Sequence, residues 1–246
     1  MKSIIILLTL ITNLAFAQEQ EIRKTGSYNG ISVATGIVAE YIKSDRQEVV
    51  VRVEKKSDLQ YIKTTVEDGT LKIHIENSRG LKTIRNVKVA IYGNQGLNTI
   101  TISSSAVLNI HPVVVSNDLN IQVSSSGQLN MNVKAKNITA SISSSAKYQG
   151  KVESNILVLK ATSSAKAVLT GTASTGTIQT SSSASADLSG LKTTTATVNA
   201  SSSAKSLIWV TEELEANASS SARISYKGSP AKRNFNTSSS GKVAAL

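Results

Sequence analysis

Five cationic side chains stand at one recurring position of this chain: Lys147, Lys166, Lys205, Arg223 and Lys242. Each directly follows a four-residue tag, Ser-Ser-Ser-Ala or Ser-Ser-Ser-Gly, with Thr162 as the first residue of one copy. The eight tags close at Ala106, Gly127, Ala146, Ala165, Ala184, Ala204, Ala222 and Gly241, so successive spacings are 21, 19, 19, 19, 20, 18 and 19 residues. Val107, Gln128 and Ser185 fill the other three positions. If the repeats stack in register, the cations form one outward column stepped by about 4.8 Å. Such a column suits a linear polyanion: an acidic polysaccharide, lipopolysaccharide phosphates or nucleic acid. The competing reading is that exposed lysines keep a Ser-rich stack soluble and block edge pairing.

Other chemistry is thinly represented. Glycoside hydrolysis needs two carboxylates facing each other across the bond, yet beyond residue 100 the acids are Asp118, Glu153 and Asp187, one to a repeat, and the group Glu212, Glu213, Glu215. That group reads as a solvated loop. The two histidines, His74 and His111, are far apart, and there is no cysteine, so no metal or cofactor site is expected. No His or Lys recurs at a position that would activate the many serines as nucleophiles. Aromatic residues make up 4% of the chain, which disfavours nucleic acid, whose single strands stack on aromatic platforms. Trp209, the one tryptophan, reads as core or coil edge.

The elements that must position the cations follow from the period. A repeat near 19 residues cannot bury a hydrophobic face alone and is one unit of a solenoid. Upstream of each tag, apolar positions such as Ile100 and Ile102, Ile121 and Val123, or Leu159 and Ala161 flank polar Thr101, Gln122 and Lys160. This period-two pattern is that of a half-buried strand. Counting on in the same phase places the middle tag serine (Ser104, Ser125, Ser144, Ser163, Ser182, Ser202, Ser220, Ser239) and the closing Ala or Gly inward. Because most repeats are odd in length, alternation must break once per coil. The break is expected near Pro112, Gly150, Gly171, Gly190, Gly228 and Pro230. The fold class read from this is all-β: a parallel β-helix of about eight 19–20-residue coils over residues 99–246, preferred to a meander of hairpins because only stacked coils explain an identical tag in every repeat.

Residues 18–98 lack the tag but are strand-like, and Asp68-Gly69 marks a tight hairpin turn. They read as an N-terminal β-rich cap or irregular early coils, continuous with the helix as one domain. Residues 1–17 have a charged start, an apolar run from Ile4 to Leu14 and Ala15-Phe16-Ala17, the pattern of a secretory signal peptide. No run is long enough to be a transmembrane segment. The net charge is +11, which implies affinity for polyanions or anionic surfaces. The last residues, Val243 to Leu246, offer no polar cap, so an end-to-end homodimer is expected to cover the final coil.

Three stretches resemble one family: Tyr28-Asn29-Gly30-Ile31-Ser32-Val33, then Val66-Glu67-Asp68-Gly69-Thr70-Leu71-Lys72-Ile73, then the Ser-rich tags after a β-branched residue, as in Ile102-Ser103-Ser104-Ser105-Ala106. The family is the auto-transporter adhesin, head GIN domain proteins of bacterial envelopes, and the likeness runs from about residue 25 to the end. It implies a right-handed β-helix exported to the envelope and supplies no catalytic or binding residues. The expected function is therefore an exported, non-catalytic binding or adhesion module, in the periplasm, on the outer surface or extracellular. Its partner would be an anionic polysaccharide or lipopolysaccharide held by the cationic column, and nucleic acid is not expected. A purely structural envelope protein and a polysaccharide-acting β-helix enzyme are the alternatives.

Overall fold

The computed structural model describes residues 19–76 and 84–246; the leader expected over residues 1–17 lies outside them. The strands, in chain order, are β1 (Glu19–Lys24), β2 (Gly30–Val33), β3 (Val38–Lys43), β4 (Glu48–Val53), β5 (Ile62–Glu67), β6 (Thr70–Ile75), β7 (Lys88–Gly93), β8 (Thr99–Ile102), β9 (Val107–Val123), β10 (Gln128–Ile142), β11 (Lys147–Ala161), β12 (Lys166–Thr180), β13 (Ser185–Ala200), β14 (Lys205–Ala218), β15 (Arg223–Lys227), β16 (Lys232–Thr237) and β17 (Lys242–Ala245). From β8 onward every pairing is parallel and joins one coil to the next, so the chain winds as the solenoid its period predicts. Like residue lies over like residue: Ile100 pairs with Ile121, Ile121 with Ala140, Ala140 with Leu159 and Leu159 with Ile178. These inward side chains are buried and form one continuous core, which no single coil could close alone.

The tags are the sharp corners. Ser144 and Ser145 have φ of 52° and 62°, and the Ala146 N–H donates to the Ser143 carbonyl at 3.1 Å, the arrangement of a type I′ turn. All eight tags share it. Stacking closes the backbone account: the Ser145 N–H donates to the Ser163 carbonyl of the next coil at 2.9 Å, and Ser164 to Ser182 at 3.0 Å.

This geometry corrects two expectations. The middle serines, Ser104 through Ser239, are exposed rather than inward. Phase counting assumes an extended backbone, whereas two successive left-handed residues swing both side chains out before the closing Ala or Gly returns to the core. In the coils of β10, β11 and β12 the in-out alternation breaks once, at the paired exposed residues Lys136-Asn137, Asn155-Ile156 and Ser174-Thr175; in β13 it breaks twice, at Ser189-Gly190, where a break was expected, and at Thr194-Thr195. Gly150 and Gly171 instead mark close backbone contact between coils.

Serine is a strained choice for a type I′ turn, since a non-glycine residue in the left-handed region costs roughly 1–2 kcal/mol and Asn-Gly is the preferred pair. Replacing Ser144-Ser145 with Asn-Gly is expected to stabilise the protein by about 1 kcal/mol, raising the melting temperature by about 2–4 °C in a thermal denaturation scan. A lower melting temperature would mean that the hydroxyls support the turn.

A ninth corner precedes the tags. Thr35 and Gly36, between β2 and β3, have φ of 58° and 68°, and the Gly36 N–H donates to the Ser104 carbonyl at 2.8 Å. The β2–β3 coil is sandwiched in space: β8 and β9 stack on one side, β6 and β7 on the other, all parallel to it. Antiparallel strands then finish that end, β5 on β6, β4 on β7 and β1 on β4. The β5–β6 turn is Asp68-Gly69, both at positive φ. The Arg23 guanidinium ties β1 to the neighbouring segment by donating to the Leu59 carbonyl at 2.9 Å and to the Ile62 carbonyl. At the other end β16 and β17 form the last layer, where Phe235 leans on Tyr226 with ring centroids 5.5 Å apart.

Candidate functional site

The five cations open successive strands, and the turn-to-turn ladder fixes their alignment. Lys147 pairs with Lys166, Lys166 with Ser185, Ser185 with Lys205, Lys205 with Arg223 and Arg223 with Lys242. Gln128 and Val107 continue the same column toward the N-terminal end. Each cation directly follows the inward Ala or Gly that closes a tag, buried at Ala146, Ala165, Ala204 and Ala222 and half-buried at Gly241, so the pleat points it outward; all five are exposed, and Ser185 is half-buried. Among the described residues none of the five makes an ion pair. Neighbours about 4.8 Å apart repel one another, so a column left unneutralised within the chain is a surface that attracts an external anion. At Ser185 the column has a gap, and the acid of that strand stretch, Asp187, is occupied by Ser189, whose N–H and Oγ both donate to its Oδ1, at 3.1 and 2.8 Å.

The other candidates are dispersed. Asp118 accepts from Asn137 Nδ2 at 2.7 Å. Lys151 Nζ lies 2.8 Å from Glu153, and that hydrogen bond holds the carboxyl below its ordinary value, the opposite of what a general acid requires. Glu212, Glu213 and Glu215 are exposed as expected but belong to strand β14 rather than a loop, because the coil continues its ladder through them. His111 stands 3.6 Å from Glu40 on the surface, and His74 lies on β6. No group of three or more potential metal ligands occurs among the described residues, nor a helix long and apolar enough to cross a membrane.

Two features escaped sequence reasoning. One is the pair of cations over the half-buried Trp209, whose ring has Lys227 Nζ at 4.3 Å and Lys192 Nζ at 6.0 Å. Its column partners, Lys192 and Lys227, become visible only once register is known. On the outer surface of the strand before the tags, Asn236 donates to Asn217 at 2.8 Å and Asn217 to Asn199 at 2.9 Å, forming an amide ladder along a shallow groove.

Taken together, the fold and the cationic column along it define a β-solenoid that offers a long lateral surface. The sequence profile of the family described as "Putative auto-transporter adhesin, head GIN domain" matches residues 27–230, and this chain belongs to that family. No curated protein matches the sequence. Several solved structures share the fold. A putative adhesin from Parabacteroides distasonis superposes with a TM-score of 0.85 at 19% identity, covering 93% of this chain and 97% of its own. A protein of the same organism described as a putative lipid binding protein gives 0.82 at 21% identity, covering 93% and 96%. A putative adhesin from Parabacteroides merdae gives 0.82 at 16% identity, with the same coverage.

Proposed function

We propose that this chain is an exported, non-catalytic binding module of the bacterial cell envelope that engages an anionic glycan or lipopolysaccharide along the column Lys147, Lys166, Lys205, Arg223 and Lys242. The observation behind this reading is the register: five exposed cations in one line, none neutralised within the described chain. Adhesion accords with the family description, and lipid phosphates would meet the same charges as acidic sugars. Export is supported by the leader pattern of residues 1–17. A non-catalytic role accords with Asp118, Glu153 and Asp187, which stand in separate coils and are each held by a neighbour.

The test is retention of the purified protein on an immobilised sulfated or uronate polysaccharide across a salt series. Each cation that neutralises a ligand charge releases a counterion, so five contacts give a log–log slope of affinity against salt on the order of −4. Flow-through at low salt, or retention indifferent to salt, would remove the reading.

A further inference from the structure

The strand stretch that leads into the tags carries a groove on its outer surface. Gln179, Asn199, Asn217 and Asn236 lie over one another on successive coils, and two residues further on stand Ser181, Ser201, Ser219 and Ser238, the first serines of four tags. Between these two columns the chain turns inward at the buried residues Thr180, Ala200 and Ala218. Side chains therefore rise on both sides of a low floor, and the result is a shallow groove of about 380 Å³ lined by both columns. From Gln179 to Asn236 it covers three coil steps, about 14 Å along the stack. The cations of the column lie beyond the tag corners and do not line it.

The groove is polar and almost uncharged. No carboxylate lines it, and its single ionic residue is Lys160, one coil before Gln179. Its hydrogen-bonding capacity is only partly used within the chain. Asn217 is satisfied: its Nδ2 donates to Asn199 at 2.9 Å and to Glu215 at 3.3 Å, and its Oδ1 accepts from Asn236 at 2.8 Å. That leaves Asn199 as an acceptor only and Asn236 as a donor only. Among the described residues the Gln179 amide and the hydroxyls of Ser181, Ser201, Ser219 and Ser238 make no side-chain hydrogen bond. Asn217 thus holds its two neighbours in place while their unused groups, with those of Gln179 and the serines, remain open to an external partner.

We propose that this groove binds a neutral, β-linked glycan lying along the solenoid axis, its hydroxyls exchanging hydrogen bonds with Gln179, Asn199, Asn236 and the tag serines, and its C–H faces resting over the floor at Ala200 and Ala218. Amides and hydroxyls both donate and accept, and so does every sugar hydroxyl, so the match requires no charge. A charged polymer would find one cation at one end and none along the rest. The step also fits: an extended β-linked chain advances by one sugar over close to one coil step of about 4.8 Å, so successive sugars meet successive pairs of amide and hydroxyl. With no aromatic platform in the groove, affinity comes from the number of coils contacted, and groups already held by the ladder lose little freedom on binding. This site is independent of the cationic column: it uses different residues and an uncharged ligand.

The test is calorimetric titration of the full chain with cellohexaose, with maltohexaose as the control of equal composition whose α-links coil the chain. Cellohexaose is expected to bind several-fold more tightly than maltohexaose, with an affinity that stays constant between about 50 and 200 mM salt, a range over which polyanion binding falls steeply. Gln179→Leu together with Ser201→Ala removes polar groups that the free protein leaves unpaired, so the double variant is expected to melt with the parent while losing about tenfold in cellohexaose affinity. The Lys147→Glu, Lys166→Glu, Lys205→Glu variant is expected to bind cellohexaose as the parent does, and the double variant to be retained on an acidic polysaccharide as the parent is, so this proposal and the polyanion reading fail separately. No binding of cellohexaose up to its solubility limit, equal binding of maltohexaose, or parental affinity in the double variant would each overturn the proposal. So would a lower melting temperature for the free double variant, because the two groups would then serve the fold.

Discussion

Gly171→Ala is expected to destabilise the protein by about 3 kcal/mol or more, lowering the melting temperature by about 6–12 °C. Gly171 lies in β12 directly over Val152 of β11, with φ of 111°, where L residues are strained. A Cβ there would sit 2.1 Å from the Val152 carbonyl oxygen, far inside van der Waals contact. That oxygen belongs to the backbone of a packed neighbouring coil, so relief requires the two coils to separate and their ladder to weaken on both sides. Nearest-neighbour coupling is what holds a solenoid together, and the loss should appear first as faster hydrogen exchange in β11 and β12. Gly26→Ala is the control: no atom lies within 4 Å of its Cβ, and it is expected to change stability by less than about 0.5 kcal/mol. If the two variants melt together, coils 147–165 and 166–184 do not approach as closely at Gly171 as described.

Gly171 also shows where reading the chain succeeds and where it stops. The solenoid was readable because stacking requires nearly equal coil lengths, and the eight tags record seven of them, 18 to 21 residues each. The direction of the middle serines was not, because alternation is a property of extended backbone and the tag leaves the extended region for two residues. Early coils were one of the two readings of residues 18–98, but the corner of the β2–β3 coil was not located, for a related reason: Ala34-Thr35-Gly36-Ile37 has the tag's conformation without its serines. Conformation is what stacks, and Thr-Gly satisfies it as well as Ser-Ser does. Register made the column of Lys147 to Lys242 foreseeable, since each cation keeps a fixed offset from a tag. The shallow cavity that Tyr41, Gln95 and Val113 line has no such offset; its residues meet because the chain places β2 and β3 between segments that follow them by tens of residues, an order that no local pattern announces.

Reversing three charges of the column, Lys147→Glu, Lys166→Glu and Lys205→Glu, is expected to weaken binding to an immobilised acidic polysaccharide by roughly 100-fold at low salt. Exposed charge contacts are each worth up to about 1 kcal/mol, and losing three such contacts amounts to about two decades in affinity. The fold should tolerate the change, because all three side chains are exposed and lack partners to lose among the described residues. Net charge alone would produce some of the same loss, and the decisive comparison is Lys134→Glu, Lys136→Glu, Lys160→Glu. That variant has the same net charge with the column intact. Near-parental retention of this variant, beside loss in the first, identifies the column as the contact; equal loss in both reduces the effect to overall charge and leaves the lysines as solubilising groups. A gain should accompany the loss. Ser185 interrupts the line between Lys166 and Lys205, and Ser185→Lys closes it, so a ligand that runs along the column should bind Ser185→Lys several-fold more tightly, whereas one that touches a single cation should not register the difference.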